Sequence, residues 1–229
     1  MTFATMLAMG GCAVESSDAP KPLQIDNALT AEEKAEGKFT PEIMWKMSRI
    51  GAQTLSPDGS QLIYTVTQYN MAENRGISQI YLRDMTTGSE VALTDNTSNN
   101  GEPQWNADGK KIYFTSNRSG STQLWQMAAD GSAAKQITNV EGGIEGYGVA
   151  PTEDKMFYVK KVHATDVKSS DVHKDMDKSK ARIYDDLMAR HWDYWDEGDY
   201  SHIFVADLTA DGLKNDKDIL GAEAAWDAP

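Results

Sequence analysis

The sequence predicts an all-β fold assembled from successive four-stranded units, and three observations carry that prediction. The segment LSPDGSQLIYTV (Leu55 to Val66) returns as WNADGKKIYFTS (Trp105 to Ser116), with Asp58-Gly59 and Asp108-Gly109 fifty residues apart. A third, worn copy is VAPTEDKMFYVK, Val149 to Lys160. A second element trails each of the first two copies: SQIYLRDMTTGSEVALT (Ser78 to Thr94), then TQLWQMAADGSAAKQIT (Thr122 to Thr138). Each trailing element is a β-branched or aromatic strand, a Gly-containing turn and a short strand closing on Leu-Thr or Ile-Thr.

The turn chemistry explains the hairpins. Proline presets φ, and Asp-Gly tolerates the positive φ that tight turns require, so each copy reads as strand, turn, strand. Two such hairpins give four strands per unit of 45 to 50 residues, the pattern of a β-propeller blade. A β-sandwich of successive hairpins is the alternative, but it gives no reason for both the first and the second hairpin to repeat their chemistry. A partial β-propeller of about three blades is therefore expected, at about 51–95, 101–139 and 147–221. In the third, the strand that should follow promptly is delayed until SHIFVADLTADG (Ser201 to Gly212), which leaves an insertion at about 163–200.

Ahead of the blades, TPEIMWKM offers Thr40 as N-cap, Pro41 at the first helical position and Glu42 in the first turn, so a short helix is expected there. Residues 13–38 are polar, with Pro20 and Pro22, and read as a linker holding one helical turn at TAEEKAEG. The first twelve residues, MTFATMLAMGGC, are small and apolar up to Cys12, which resembles a bacterial lipoprotein signal whose cysteine carries lipid. No Lys or Arg precedes the apolar part, and the alternative is an unstructured start with a chance cysteine.

Within the insertion, Ile183-Tyr184, Leu187-Met188 and His191-Trp192 recur every four residues, which predicts an amphipathic helix from Ser179 with Gly198 ending or turning it. The tryptophans of RHWDYWDEGDYSHIFV (Arg190 to Val205) are then expected as anchors holding that helix on the propeller. Composition excludes several functions. The net charge of −13, from 35 acids and 22 bases with no basic block, argues against nucleic acid. Cys12 is the only cysteine, so neither an intrachain disulfide nor a Cys-type zinc site can form. No segment approaches the ~20 apolar residues of a spanning helix. Any membrane contact is expected only through a lipid on Cys12.

SPDG-type hairpins at blade spacing, followed by IYDDLMARHWDYWDEGDYSHIFVADL, resemble the N-terminal propeller of the prolyl oligopeptidase family of serine peptidases, most closely its bacterial dipeptidyl peptidases and acylaminoacyl peptidase-like members. The resemblance covers about Phe39 to Pro229. It implies a longer parent protein whose propeller caps a C-terminal α/β-hydrolase domain and whose substrates are short peptides. The lipoprotein-like start ending in Cys12 implies a cell-envelope location. The family's nucleophile sits on a Gly-x-Ser-x-Gly elbow. No such motif occurs in this sequence, so no catalytic residue is expected in it. His163, His173, His191 and His202 show no His-x-x-x-His pair, and Asp193, Asp196, Glu197 and Asp199 do not follow the spacing of a calcium loop. Neither metal nor cofactor is expected. In related dipeptidyl peptidases an acidic pair on a propeller insertion grips the substrate's α-amine, and the adjacent Asp196 and Glu197 are the candidates for that role. The other reading is a non-catalytic periplasmic binding propeller of the Tol-system kind.

Overall fold

The computed structural model describes residues 21–185 and 189–221. Two short helices come first. In α1 (Ala31–Glu36), Thr30 and Glu33 cap each other's backbone N–H groups. In α2 (Pro41–Lys46), the Thr40 hydroxyl accepts from the Ile43 N–H, as the sequence predicts. The stretch expected to be a linker is docked in its described part. Leu23 is buried, its N–H donates to the Asn96 carbonyl at 3.0 Å and its carbonyl accepts from Asn96 Nδ2 at 2.6 Å. One apolar side chain with two backbone bonds suffices to hold an otherwise polar segment.

Three four-stranded antiparallel sheets follow, each an up-and-down meander. The first contains β1 (Arg49–Leu55), β2 (Gln61–Asn70), β3 (Arg75–Asp84) and β4 (Glu90–Ala92). The second contains β5 (Asn100–Trp105), β6 (Lys111–Ser116), β7 (Gln123–Ala128) and β8 (Lys135–Gln136). The third opens with β9 (Gly146–Val149) and β10 (Lys155–His163). It then leaves the sheet through α3 (Ser169–Val172) and a small hairpin of β11 (Arg190–His191) and β12 (Tyr194–Trp195). It closes with β13 (Asp199–Thr209) and β14 (Gly212–Asp218). This is the partial β-propeller expected from the repeats, with the insertion inside the third blade.

The blades hold one another through the two faces of the strands. On β6, Ile112 and Phe114 join Ile63 and Ile80 of the first blade, while Tyr113, facing the other way, joins Tyr147, Met156 and Tyr158 of the third. Successive side chains of a strand point to opposite faces, so one strand serves two interfaces. Each fully buried side chain of this size contributes about 1.5–3 kcal/mol relative to exposure. The repeated turns behave as their chemistry dictates. Gly59 and Gly109 take positive φ, and Asp58 Oδ1 accepts from the Ser56 hydroxyl at 2.6 Å and the Ser60 N–H at 3.0 Å. Those bonds, the Ser56 hydroxyl foremost, hold the Asp58 carboxyl down at about 2. The third turn places Glu153 at φ 59° in the position that glycine holds in the other two.

Candidate functional site

The ends of the first strands of the three blades share a cavity of about 510 Å³, lined by Leu55, Trp105, Val149 and Glu153 among others. Two of these strands bulge, β1 between Ile50 and Gln53 and β5 between Gly101 and Gln104. The second bulge puts Glu102 at φ 48°, an uncommon conformation for a residue with a Cβ. The buried Tyr147 fastens it, its hydroxyl donating to the Glu102 carbonyl at 2.6 Å. Bulges re-aim side chains beside functional sites. Glu102 is exposed, and the partial loss of hydration beside the sheet raises its carboxyl above its ordinary value. The sequence gives little sign of this residue, because a bulge depends on strand pairing rather than on composition.

The insertion leaves the third blade after the last β10–β13 pair, His163 opposite Asp199. Its neck is closed by Gly198, whose carbonyl accepts from the Ala164 N–H at 2.9 Å and the Thr165 N–H at 3.2 Å. Gly198 has φ 75°, and a Cβ there would lie 1.8 Å from the Thr165 carbonyl oxygen, so only glycine fits. Beyond the neck, Val167 and Ser169 exchange backbone bonds with Ile183 and Ala181 around a bridge between Lys168 and Arg182. That pairing sets both cations against Glu197. Its carboxylate accepts from Arg182 Nε at 3.0 Å and from the other arm of the same guanidinium, and Lys168 Nζ lies 3.1 Å away. Arg182 first and Lys168 second hold the Glu197 carboxyl below the ordinary carboxylate range. Asp196, its neighbour, uses Oδ1 to accept the Gly198 N–H at 2.8 Å, and no ion pair involves it among the described residues. The structure thus brings the two acids to one place, with Glu197 neutralised and Asp196 capping the neck.

The helix expected from Ser179 does not form in the described residues. Arg182 lies in a β-bridge, and Arg190 and His191 pair with Trp195 and Tyr194. Among the described residues of the insertion, the helical content is the single turn of α3. A short helix is marginal alone in water and, within a protein, gains its stability mainly from a packed face. Among the described residues of that face, Ile183 is 37% exposed and Trp192, at the hairpin tip with φ 51°, is 85% exposed. The tryptophans are accordingly not anchors on the propeller. Trp195 instead stacks on Tyr184 at 6.3 Å between centroids, with the Arg182 and Arg190 guanidinium groups near its ring. Leu187 and Met188, which the expected helix also used, lie outside the described residues, as does Cys12.

None of the four histidines meets a serine elbow. His202 is buried and its Nδ1 lies 2.6 Å from Asp218 Oδ2, while His191 sits against Tyr194 on the hairpin. Residues 42–187, well over half of the chain, match the family described as PD40, TolB beta propeller domain. The chain belongs to this PD40 β-propeller family. Among curated relatives, dipeptidyl-peptidase 5 of Porphyromonas gingivalis is 37% identical over 191 residues, covering 83% of this chain and 28% of that protein. Dipeptidyl-peptidase 5 of Porphyromonas endodontalis is 32% identical over 204 residues, covering 89% of this chain and 29% of the relative. The chain therefore spans less than a third of the length of these relatives. A solved acylaminoacyl peptidase from Pyrococcus horikoshii shares the blade arrangement, with a TM-score of 0.57 at 17% identity over 76% of this chain and 25% of that one. No helix among the described residues is long and apolar enough to cross a membrane.

Proposed function

We propose that this chain is the N-terminal propeller portion of a cell-envelope serine peptidase acting on short peptides, which the propeller admits and orients for a C-terminal α/β-hydrolase domain of the longer protein. The observation that carries the reading is the similarity to the two Porphyromonas dipeptidyl-peptidases, which runs through all three blades and into the insertion. The outward face of the third blade supports it. Phe157, Ile203 and Val205 lie exposed side by side there, as a surface awaiting a further blade would. Cys12 would tether the protein to the envelope through lipid.

In the complete enzyme, Asp196 and Glu197 would receive the substrate's free α-amine. Glu197 already balances Arg182 and Lys168, so the ammonium falls to Asp196 first. A desolvated ammonium needs such a partner, and the contact fixes how many residues extend past the scissile bond. The test is the full-length enzyme carrying Asp196→Asn and Glu197→Gln. Its kcat/KM should fall on substrates with a free N-terminus, by about 2–3 kcal/mol in transition-state terms, and hold on N-blocked ones. Equal effects on both substrate types would remove the amine-binding role. The family's TolB character favours one other reading, a non-catalytic periplasmic binding propeller. The gene downstream of residue 229 separates the two: a Gly-x-Ser-x-Gly elbow supports the peptidase, and further blades followed by a stop support the binder.

A further inference from the structure

At the neck of the insertion, one imidazole sits among three carboxylates, the four groups coming from four different places in the fold. His163 ends β10, Asp166 follows it in the loop, Asp171 lies on α3 and Asp199 begins β13. His163 Nδ1 lies 2.8 Å from Asp199 Oδ1, and Nε2 lies 3.2 Å from Asp166 Oδ1. Asp171 brings its carboxylate to the same point, all three groups offering an atom within 4.8 Å of one another. Among the described ion pairs, none joins Asp166, Asp171 or Asp199 to a Lys or Arg, since the nearby Lys168 and Arg182 are engaged by Glu197. The neck thus carries negative charge that no lysine or arginine balances.

We propose that His163 Nε2, Asp166 and Asp171 form a site for a divalent transition-metal ion, zinc for preference, which ties the root of the insertion to the third blade. The geometry fits the ion. Tetrahedral arms of about 2.0–2.1 Å put neighbouring ligand atoms about 3.3 Å apart, close to the separation of His163 Nε2 and Asp166 Oδ1. Asp199 holds the other ring nitrogen, the carboxylate–histidine–metal arrangement that fixes the tautomer and aims the ligating nitrogen. The third ligand, the half-buried Asp171, has its carboxylate within 4.8 Å of the other two, and water fills the fourth position. Imidazole with carboxylates suits zinc better than calcium, which takes oxygen ligands throughout. Ser169, on the same turn as Asp171, is buried, and its hydroxyl has no hydrogen-bond partner among the described residues. The ligands are spread from residue 163 to 171 with their orienting acid at 199, which is why no short motif announces them.

The experiment is a calorimetric titration of zinc chloride into the chelator-treated 229-residue chain, with calcium chloride alongside. One saturable zinc site is expected, with calcium weaker. His163→Ala and Asp171→Asn should each weaken zinc at least about 10-fold, and Asp199→Asn, which touches no metal, about 10- to 100-fold. Asp211→Asn, an exposed acid 84% open to solvent, should leave the affinity unchanged. Circular dichroism of each variant checks that the blades persist. Absence of a saturable zinc site, zinc binding that survives His163→Ala, or an equal loss in Asp211→Asn overturns the proposal.

Discussion

Glu153 occupies a left-handed turn position that its sister blades give to Gly59 and Gly109, and it is held there by what its side chain reaches. Glu153 Oε2 accepts from Lys111 Nζ at 2.8 Å, joining the third blade to the second. A residue with a Cβ at this φ costs about 1–2 kcal/mol relative to glycine, and a half-exposed ion pair returns about 0–1 kcal/mol. Glu153→Gly should therefore change stability by about 0–2 kcal/mol in the favourable direction while Lys111 is present, less than in its absence by whatever the pair contributes. In a Lys111→Ala background, where the pair is already gone, the same change should yield the full relief of about 1–2 kcal/mol. Urea midpoints of the four proteins check this, and an Asp58→Ala control reports on a turn whose carboxylate contacts are local. An equal effect of Glu153→Gly in both backgrounds would mean that Lys111 contributes nothing to holding the turn.

At the scale of elements, the insertion depends on its neck. Gly198→Ala drives a methyl group into the Thr165 carbonyl and also forces a positive φ, so a loss of about 2–4 kcal/mol is expected, read as a fall in urea midpoint with the blade strands still formed. Beyond the neck, acid should act through Glu197. Its folded pKa lies below the ordinary value of 4.5, so the ordering it supplies is complete above about pH 4.5 and is lost as pH falls through the depressed value. The fluorescence of Trp195, beside Arg182, should report that transition, and Arg182→Met should shift it to higher pH. A transition that does not move in this variant would assign it to other carboxylates. The contrast between blades and insertion explains what the sequence could disclose. The blades were legible because Pro, Asp and Gly impose turn geometry locally and the pattern recurs, so chemistry and period agree. The insertion is less legible because a four-residue apolar recurrence is a statement about packing, and among the described residues Ile183 and Trp192 stay exposed. Asp196 and Glu197 were found as neighbours in sequence, whereas the Lys168 and Arg182 that engage Glu197 come from a backbone bridge that only tertiary structure reveals. Glu102 and the His163 cluster were missed for the same reason.

For the molecule as a whole, the exposed row of Phe157, Ile203 and Val205 predicts behaviour in solution. Contiguous apolar surface on a sheet invites association. The 229-residue chain should show concentration-dependent association by sedimentation, and Phe157→Lys with Val205→Lys should leave it monomeric. Equal association of that variant would point to another surface. The inner strand pair tells a complementary story about how the assembly is organised. Because β6 is enclosed on both sides, with Phe114 committed to one neighbour and Tyr113 to the other, its amide protons are screened by two interfaces at once. Neither outer blade can peel away and lay both sides of β6 open to solvent. Exchange of those protons then requires the middle blade itself to come apart, which makes the centre of the array, rather than either end, the last part to surrender its hydrogens.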